Sequence, residues 1–202
     1  MKRLIILGAG GQGKVVADIA KLNGYEDIAF LDDNANIKEC AGWRVLGPNS
    51  MATEIEGDVF VAIGDNRIRK EITQRYQERT FPTLVHPSSV IAKGIEIGAG
   101  TVVMAGTVIN PGARIGDGVI VNTCSSIDHD CVVEDYCHIS VGAHLCGTVK
   151  IGKGTLIGAG STVSNNISIC SECLIGVGAV VINDIQIPGT YIGIPAMIKR
   201  KD

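Results

Sequence analysis

Two clusters of residues in this chain have the types and spacing to do chemistry. The first is Ser126-Ile127-Asp128-His129-Asp130-Cys131, an imidazole between two carboxylates. A carboxylate bonded to one ring nitrogen fixes the tautomer and makes the other nitrogen more basic, as a general base requires. The second is Gly8-Ala9-Gly10-Gly11-Gln12-Gly13-Lys14, which fits G-x-G-x-x-G, with Asp32 and Asp33 about twenty residues further on. Glycines let a backbone approach phosphates, and the start of a following helix offers free N–H groups and a positive dipole end. A carboxylate closing the next strand can accept hydrogen bonds from a ribose or a base edge.

A repeat positions the first cluster. From Val85 to Ile187 every sixth residue is aliphatic and the register is never lost. Neither a helix, near 3.6, nor a strand, near 2, has this period. It is the signature of a parallel β-helix of hexapeptide repeats, each hexad forming one side of a triangular coil. Counting the aliphatic residue as first, the fifth is Ser, Thr, Ala or Cys at twelve of the seventeen positions from Ser89 to Ile185. A narrow prism has room for one branched side chain per side, with a small one beside it. The fourth position is Gly nine times, with Asn166 and Asp184 among the rest. These are the residues that tolerate left-handed backbone at a corner.

This grammar is loosest between Cys124 and His138, where the fourth positions are Cys124, Asp130 and Tyr136. Departures from a local rule gather at functional sites. His129 is third in its hexad and points outward. Residues eighteen apart stack on neighbouring coils, placing Pro111 on one side of His129 and Gly147 on the other. Gly147 has no side chain and then leaves a notch beside the imidazole. His138 lies nine residues from His129, half a coil, on the opposite side of the prism. The two could share a pocket only if subunits pack side by side. His86 and His144 read as structural.

Residues 1–82 read as a β-α-β-α-β nucleotide-binding domain and 83–202 as the prism. Strands are expected at Arg3–Leu7, Ile28–Leu31 and Val59–Ile63. Helices are expected at Gly13–Leu22 and at Asn66–Arg79, the latter with Ile68, Ile72 and Tyr76 on one face. This is one mononucleotide half of a Rossmann fold, so a nucleoside diphosphate fits better than NAD. The loop Gly64-Asp65-Asn66-Arg67 lies at the same carboxyl edge of the sheet and could add polar contacts and one positive charge.

The 202 residues carry a net charge of −3 and no basic run beyond the tail Lys199-Arg200-Lys201, which speaks against nucleic acid. No apolar stretch is long enough to span a membrane. The start Met1-Lys2-Arg3-Leu4-Ile5-Ile6-Leu7 faintly resembles a signal peptide, but its apolar run breaks at once into the glycine loop, so no targeting segment is read and a cytoplasmic location is expected. Cys131, Cys137 and Cys173 sit at inward fifth positions. Cys170 and Cys173 form a C-x-x-C pair without a second pair, and the hexad points one inward and the other outward. Reduced thiols and no metal are expected.

Taken together, the glycine loop, Phe30-Leu31-Asp32-Asp33, Ala62-Ile63-Gly64-Asp65-Asn66-Arg67, Ile127-Asp128-His129-Asp130-Cys131 and His138-Ile139-Ser140-Val141-Gly142-Ala143-His144-Leu145 resemble those of the bacterial sugar acyltransferases. That family includes nucleotide-4-amino-sugar N-acetyltransferases of bacillosamine and perosamine pathways and sialic acid O-acetyltransferases. The resemblance covers essentially the whole chain. It implies a left-handed β-helix, acetyl-CoA as donor, and a homotrimer with active sites between prisms. His129 would be the general base and Asp130 its partner, with Asp128 as the alternative. His138 and the Gly147 amide would lie by the thioester, and Gly193, Pro195 and Ala196 would flank the CoA adenine. Gly10, Gly11, Gln12 and Gly13 would hold the diphosphate of a nucleotide sugar. Asp32, Asp33, Gly64, Asn66 and Arg67 would hold its base. Many relatives carry His where this chain has Gln12, which touches the sugar contact. The expected activity is N-acetylation of a UDP-4-amino-sugar. Sialic acid O-acetylation and a non-catalytic trimeric nucleotide sensor are the rival readings.

Overall fold

A strand buries four aliphatic residues in a row only where both faces of its sheet are covered, and Leu4 to Leu7 are fully buried. They belong to β1 (Arg3–Leu7), which pairs in parallel with β2 (Asp27–Leu31) and β5 (Asp58–Val61). The computed structural model describes residues 2–199 and divides into two compact units, Met1–His86 and Pro87–Asp202. Met1, Arg200 and Lys201, to which the readings of a leader and a basic tail partly refer, lie outside the described residues.

In the first unit, α1 (Gly11–Leu22) follows β1 and buries Val16, Ala17, Ile19 and Ala20. Its start is set by sterics: a Cβ on Gly13 would run into the Gly8 carbonyl and lie 3.0 Å from the Phe30 ring. The expected β-α-β-α-β order is corrected. No α-helix joins β2 to β5. Instead β3 (Glu39–Cys40) and β4 (Trp43–Gly47) form an antiparallel hairpin, followed by a 3-10 turn at Asn49–Thr53. β4 also pairs with β2, giving the sheet order β3-β4-β2-β1-β5. The second helix, α2 (Asn66–Arg75), comes after β5 and ends before Arg79. Its inner face is Arg69, Ile72 and Tyr76, not Ile68, which is 38% exposed.

The second unit is the prism. Two-residue strands stack in parallel with a register of eighteen, as in Val108↔Ser126 and Ile109↔Ile127. They make three faces. The first runs from Val90–Ile91 to Val180–Val181 and the second from Glu96–Ile97 to Ser168–Ile169. The third includes Val102–Val103, His138–Ile139 and Leu174–Ile175. First-position residues are buried from Val103 to Val181, and fifth-position residues from Thr101 to Ile185. Inward hydroxyls are satisfied by carbonyls: Thr101 donates to Gly116 at 2.8 Å and Thr155 to Cys170 at 3.0 Å. Fourth positions turn the corners with positive φ even at Cys124, Asp130, Tyr136, Thr148, Asn166 and Glu172.

Two expectations fail at the far end. After Val181 the coil is two residues short, since Ile169 bridges Ile185 and Leu174 pairs with Thr190. Ile185 therefore takes the inward first slot, Ile187 is 65% exposed, and Asp184 is not among the left-handed residues. Cys173 is buried and Cys170 only half-buried, in line with one pointing inward and the other outward, yet the two thiols stay close. Their sulfurs lie 3.5 Å apart, and burial pushes the Cys173 thiol up to about 12. All seven cysteines are free thiols. Among the described residues, no helix is long and apolar enough to cross a membrane, and no cluster of three or more His, Cys, Asp or Glu could hold a metal ion.

Candidate active site

His129 stands on the edge of the prism that joins the first face to the second, between the strand Ser126–Ile127 and the strand Val132–Val133. Its Nδ1 lies 2.9 Å from Asp130 Oδ2. A carboxylate accepts only, so this contact puts the proton on Nδ1 and leaves Nε2 as the basic nitrogen. The hydrogen bond to Asp130, aided by the charge of Asp128, raises the His129 pKa above 6.5 against a smaller desolvation effect. Asp128 does not touch the ring. Its Oδ1 accepts from the His129 backbone N–H at 2.7 Å and from Asn110 Nδ2 at 2.8 Å, and the Asn110 bond is the main reason its pKa is lowered. Of the two carboxylates open in the sequence, Asp130 is the imidazole's partner in this geometry.

Two glycines make room for this pair. A Cβ on Gly147, one coil above, would lie 2.5 Å from His129 Nε2 and 2.7 Å from Cε1. A Cβ on Gly112, one coil below, would strike Asp130 Oδ1. The notch expected beside the imidazole is thus filled by the ring itself, which rests on the Gly147 backbone. The Gly147 N–H donates to Asn165 Oδ1 at 3.1 Å, so this amide is already engaged in the free protein.

The remaining prism residues lie elsewhere. His138 is on the third face, away from the His129 edge, and its Nε2 is 3.1 Å from Asn122 Nδ2. His144 is exposed on the first face, with Nδ1 2.8 Å from Ser126 Oγ. Gly193, Pro195 and Ala196 form the turn between Thr190–Ile192 and Met197–Ile198, pinned by Ala196 N–H donating to the Val180 carbonyl at 2.8 Å.

In the first unit, Gly10 caps α1 with extended backbone, and a Cβ on Gly10 or Gly11 would meet open space. Gly8 contacts Ala62 and Ile63, which brings the Gly64 loop beside the glycine loop. The two aspartates brace these loops. Asp32 accepts from Ala9 N–H at 2.7 Å and Asn34 N–H at 2.8 Å. Asp33 takes both the backbone and side-chain N–H of Asn49, at 2.9 and 3.0 Å. Each carboxylate keeps further lone pairs toward a cavity of about 240 Å³ lined by Asp32, Asp33, Asn34, Lys38, Val45 and Pro48, among others. Neither the glycine loop nor residues 64–67 line that cavity. Asp65 caps α2 through Ile68 N–H, and Arg67 is exposed. Gln12 Nε2 is buried without a hydrogen-bond partner among the described residues.

The PglD N-terminal domain family matches residues 3–76, and the bacterial transferase hexapeptide family (six repeats) matches residues 130–165. The solved acetyltransferase domain of PglB from Neisseria gonorrhoeae FA1090 superposes with a TM-score of 0.95 at 38% identity, covering 98% of this chain and 100% of that one. The chain belongs to the PglD-like hexapeptide acetyltransferases. PerB from Caulobacter crescentus, solved in complex with CoA and GDP-perosamine, is 32% identical with a TM-score of 0.92, covering 99% and 98%. The UDP-N-acetylbacillosamine N-acetyltransferase of Bacillus subtilis (strain 168) is 37% identical over 114 residues, 52% of this chain. This match spans about half the length of that curated relative, 52%.

Several residues of this PglD-like chain that hold the site are not singled out by its motifs. Asn110 and Asn165 each sit eighteen residues from the group they hold, so coil stacking could have found both. Asn122 and His138 are sixteen apart, off the stacking rule. Arg69 is 1% exposed and donates to the carbonyls of Ile63 and Gly64 and to Asn66 Oδ1, fixing the loop after β5. A basic residue on a polar helix gives no sequence signal for that role.

Proposed function

We propose that this chain transfers acetyl from acetyl-CoA to the amino group of a nucleotide-linked amino sugar, a UDP-4-amino-sugar, in the cytoplasm. The observation that carries this reading is the His129 imidazole, tied at Nδ1 to Asp130 with Nε2 against the Gly147 backbone. The relatives' chemistry agrees with it: the PglB domain has been solved with acetyl coenzyme A, and PerB with CoA and GDP-perosamine.

An amine attacks a thioester carbonyl only through its lone pair. His129 Nε2 removes a proton as the carbon–nitrogen bond forms, and Asp130 stabilises the resulting imidazolium. The negative charge on the carbonyl oxygen falls to a backbone N–H, that of Gly147, a contact worth roughly 3 kcal/mol. Collapse expels the CoA thiolate, which takes up the proton. Attack is direct, and no cysteine carries the acetyl group. Asp32, Asp33, Gly64, Asn66 and Arg67 contact the nucleotide base, and Gly10, Gly11, Gln12 and Gly13 the diphosphate. His138 lies by the thioester, and Gly193, Pro195 and Ala196 flank the CoA adenine.

Because His138 and His129 lie on opposite sides of one prism, a site using both requires a neighbour, and three triangular prisms supply identical contacts at each interface. The third face suits such packing, with Leu156 and the 44%-exposed Leu174 stacked on the next two coils beyond His138. Thiol release from acetyl-CoA, measured against UDP- and GDP-linked amino sugars and free sialic acid, tests the activity. Turnover with sialic acid alone, or with no acceptor, would sink it. Light scattering tests the trimer, and a monomeric mass at active concentrations would exclude a shared site.

A further inference from the structure

The corners of the prism share a device: a third-position N–H is capped by the third-position side chain of the next coil. Ala99 N–H donates to Asp117 Oδ1 at 2.8 Å, and Asp117 N–H to Asp135 Oδ1 at 3.1 Å. Asn165 does the same for Gly147. Gly147, however, is also the residue on which the His129 ring rests. With Nδ1 tied to Asp130, the amine and the carbonyl it attacks must assemble beside Nε2, and so beside the Gly147 backbone. With the Gly147 N–H taken as the donor to that carbonyl, as proposed above, the Asn165 side chain is a carboxamide oxygen already bound in its place.

We infer that Asn165 acts as an internal competitor at the acetyl-transfer site, its Oδ1 occupying the Gly147 N–H in the free protein and yielding it to the thioester carbonyl. The inference rests on the acetyl transfer proposed above. The peptide can keep its orientation when Asn165 leaves, because two further bonds hold this stretch: Asn166 N–H donates to the Gly147 carbonyl at 3.0 Å, and Thr148 N–H to the His129 carbonyl at 2.9 Å. Asn165 is exposed, so its amide can turn into water without opening the prism.

Two substitutions in the full chain should act in opposite directions. Asn165→Ala removes the competitor, which stabilises bound ground state and transition state alike. The KM for acetyl-CoA should fall roughly three- to tenfold with kcat little changed. Asn165→Asp puts an ionised acceptor on the same N–H. A charge-assisted bond is harder to displace, and the negative charge opposes the oxyanion, so KM should rise and kcat fall. A simple corner cap would lower the melting temperature of Asn165→Ala and leave both KM values at wild type. Unchanged KM values, or shifts in the same direction, overturn the inference. If Asn165→Ala fails to fold, Asn165→Asp, which keeps the cap, carries the test alone. A wild-type protein that releases no thiol with any nucleotide amino sugar overturns the acetyl-transfer reading and the inference with it.

Discussion

Two edges of the prism solve the same backbone problem differently. On the edge between the second and third faces, Asp117 and Asp135 cap successive coils, and Lys153 Nζ adds an ion pair with Asp135 at 2.8 Å. On the edge between the first and second faces, the ladder is interrupted. Pro111 has no N–H, and Gly147 has no side chain to offer the coil below. The His129 N–H turns to its own neighbour Asp128, and the imidazole occupies the volume that a side chain at 147 would need. One edge puts its polar side chains into holding coils together. The other leaves an imidazole and a carboxylate directed at solvent, supported on two glycines. On the proposed mechanism, reactivity comes from leaving out a structural side chain at one corner.

The largest effect should come from removing the group that the interrupted corner exposes. His129→Ala should lower kcat by about 10²–10⁴-fold while acetyl-CoA binding, followed by calorimetry, stays near wild type. A loss under about tenfold with an amine acceptor at neutral pH would remove His129 as the base. Restoring a side chain to the gap tests the comparison more directly. Gly147→Ala puts a methyl 2.5 Å from Nε2, so the ring must swing away. Because a displacement of about 1 Å can cost 10²-fold, kcat should fall by about that factor with little change in melting temperature. Near-normal kcat would show that the ring's seat on Gly147 is incidental.

The loops around Asp32 and Asp33, proposed to hold the nucleotide, belong to the other unit. Replacing both Asp32 and Asp33 with Ala should raise the KM for the sugar nucleotide by roughly tenfold, the effect of losing one or two charged hydrogen bonds. The KM for acetyl-CoA should hardly move. Since the same carboxylates hold Ala9 and Asn49, the variant should also melt lower. Equal changes in the two KM values would place the nucleotide elsewhere.

What the sequence made legible follows from how local each cause is. A period of six survives in any hexad, so the faces, the inward Cys131 and Cys137 and the outward His129 could be read without coordinates. Stacking at eighteen residues made Gly147 legible as the neighbour of His129. Two missing residues after Val181 were invisible, because Ile187 keeps the aliphatic pattern while the pairing has moved to Ile185 and Thr190. The β3–β4 hairpin was missed because Lys38 to Gly47 carries no clean alternation. The close approach of the C-x-x-C sulfurs was not legible, because a hexad rule gives the direction of each Cβ and not the rotamer that brings two sulfurs together. Asp32 and Asp33 show the same limit. Their position at a strand end was legible, but their service to Ala9 and Asn49 depends on loops distant in sequence.

A smaller effect should appear in pH dependence. The bond to Asp130 raises the pKa of His129, and only the neutral ring is a base, so kcat/KM should fall as pH drops through a value above 6.5. Asp130→Asn keeps a residue that tolerates the positive φ of 58° and removes the charge. Its inflection should shift down toward 6.5. An unmoved inflection would mean that Asp130 does not set the basicity. The same shift has a consequence for stability. A pKa raised in the folded state means the charged pair supports folding below 6.5, and the support is lost as pH rises through the raised value.

The smallest effect belongs to the intact edge and completes the comparison. Asp117→Ala removes the cap on the Ala99 N–H and leaves the Asp117 N–H bonded to Asp135. The edge is exposed, so water replaces the lost acceptor, and the loss should be about 1 kcal/mol, the usual size for such a cap. Chemical denaturation should report that loss, while kcat and both KM values stay at wild type because residue 117 belongs to a different edge from His129. If Asp117→Ala reduced kcat as Gly147→Ala is expected to, the two edges would not be separable. The contrast between a structural corner and a reactive one would then have to be given up in favour of a prism that responds as a single rigid body.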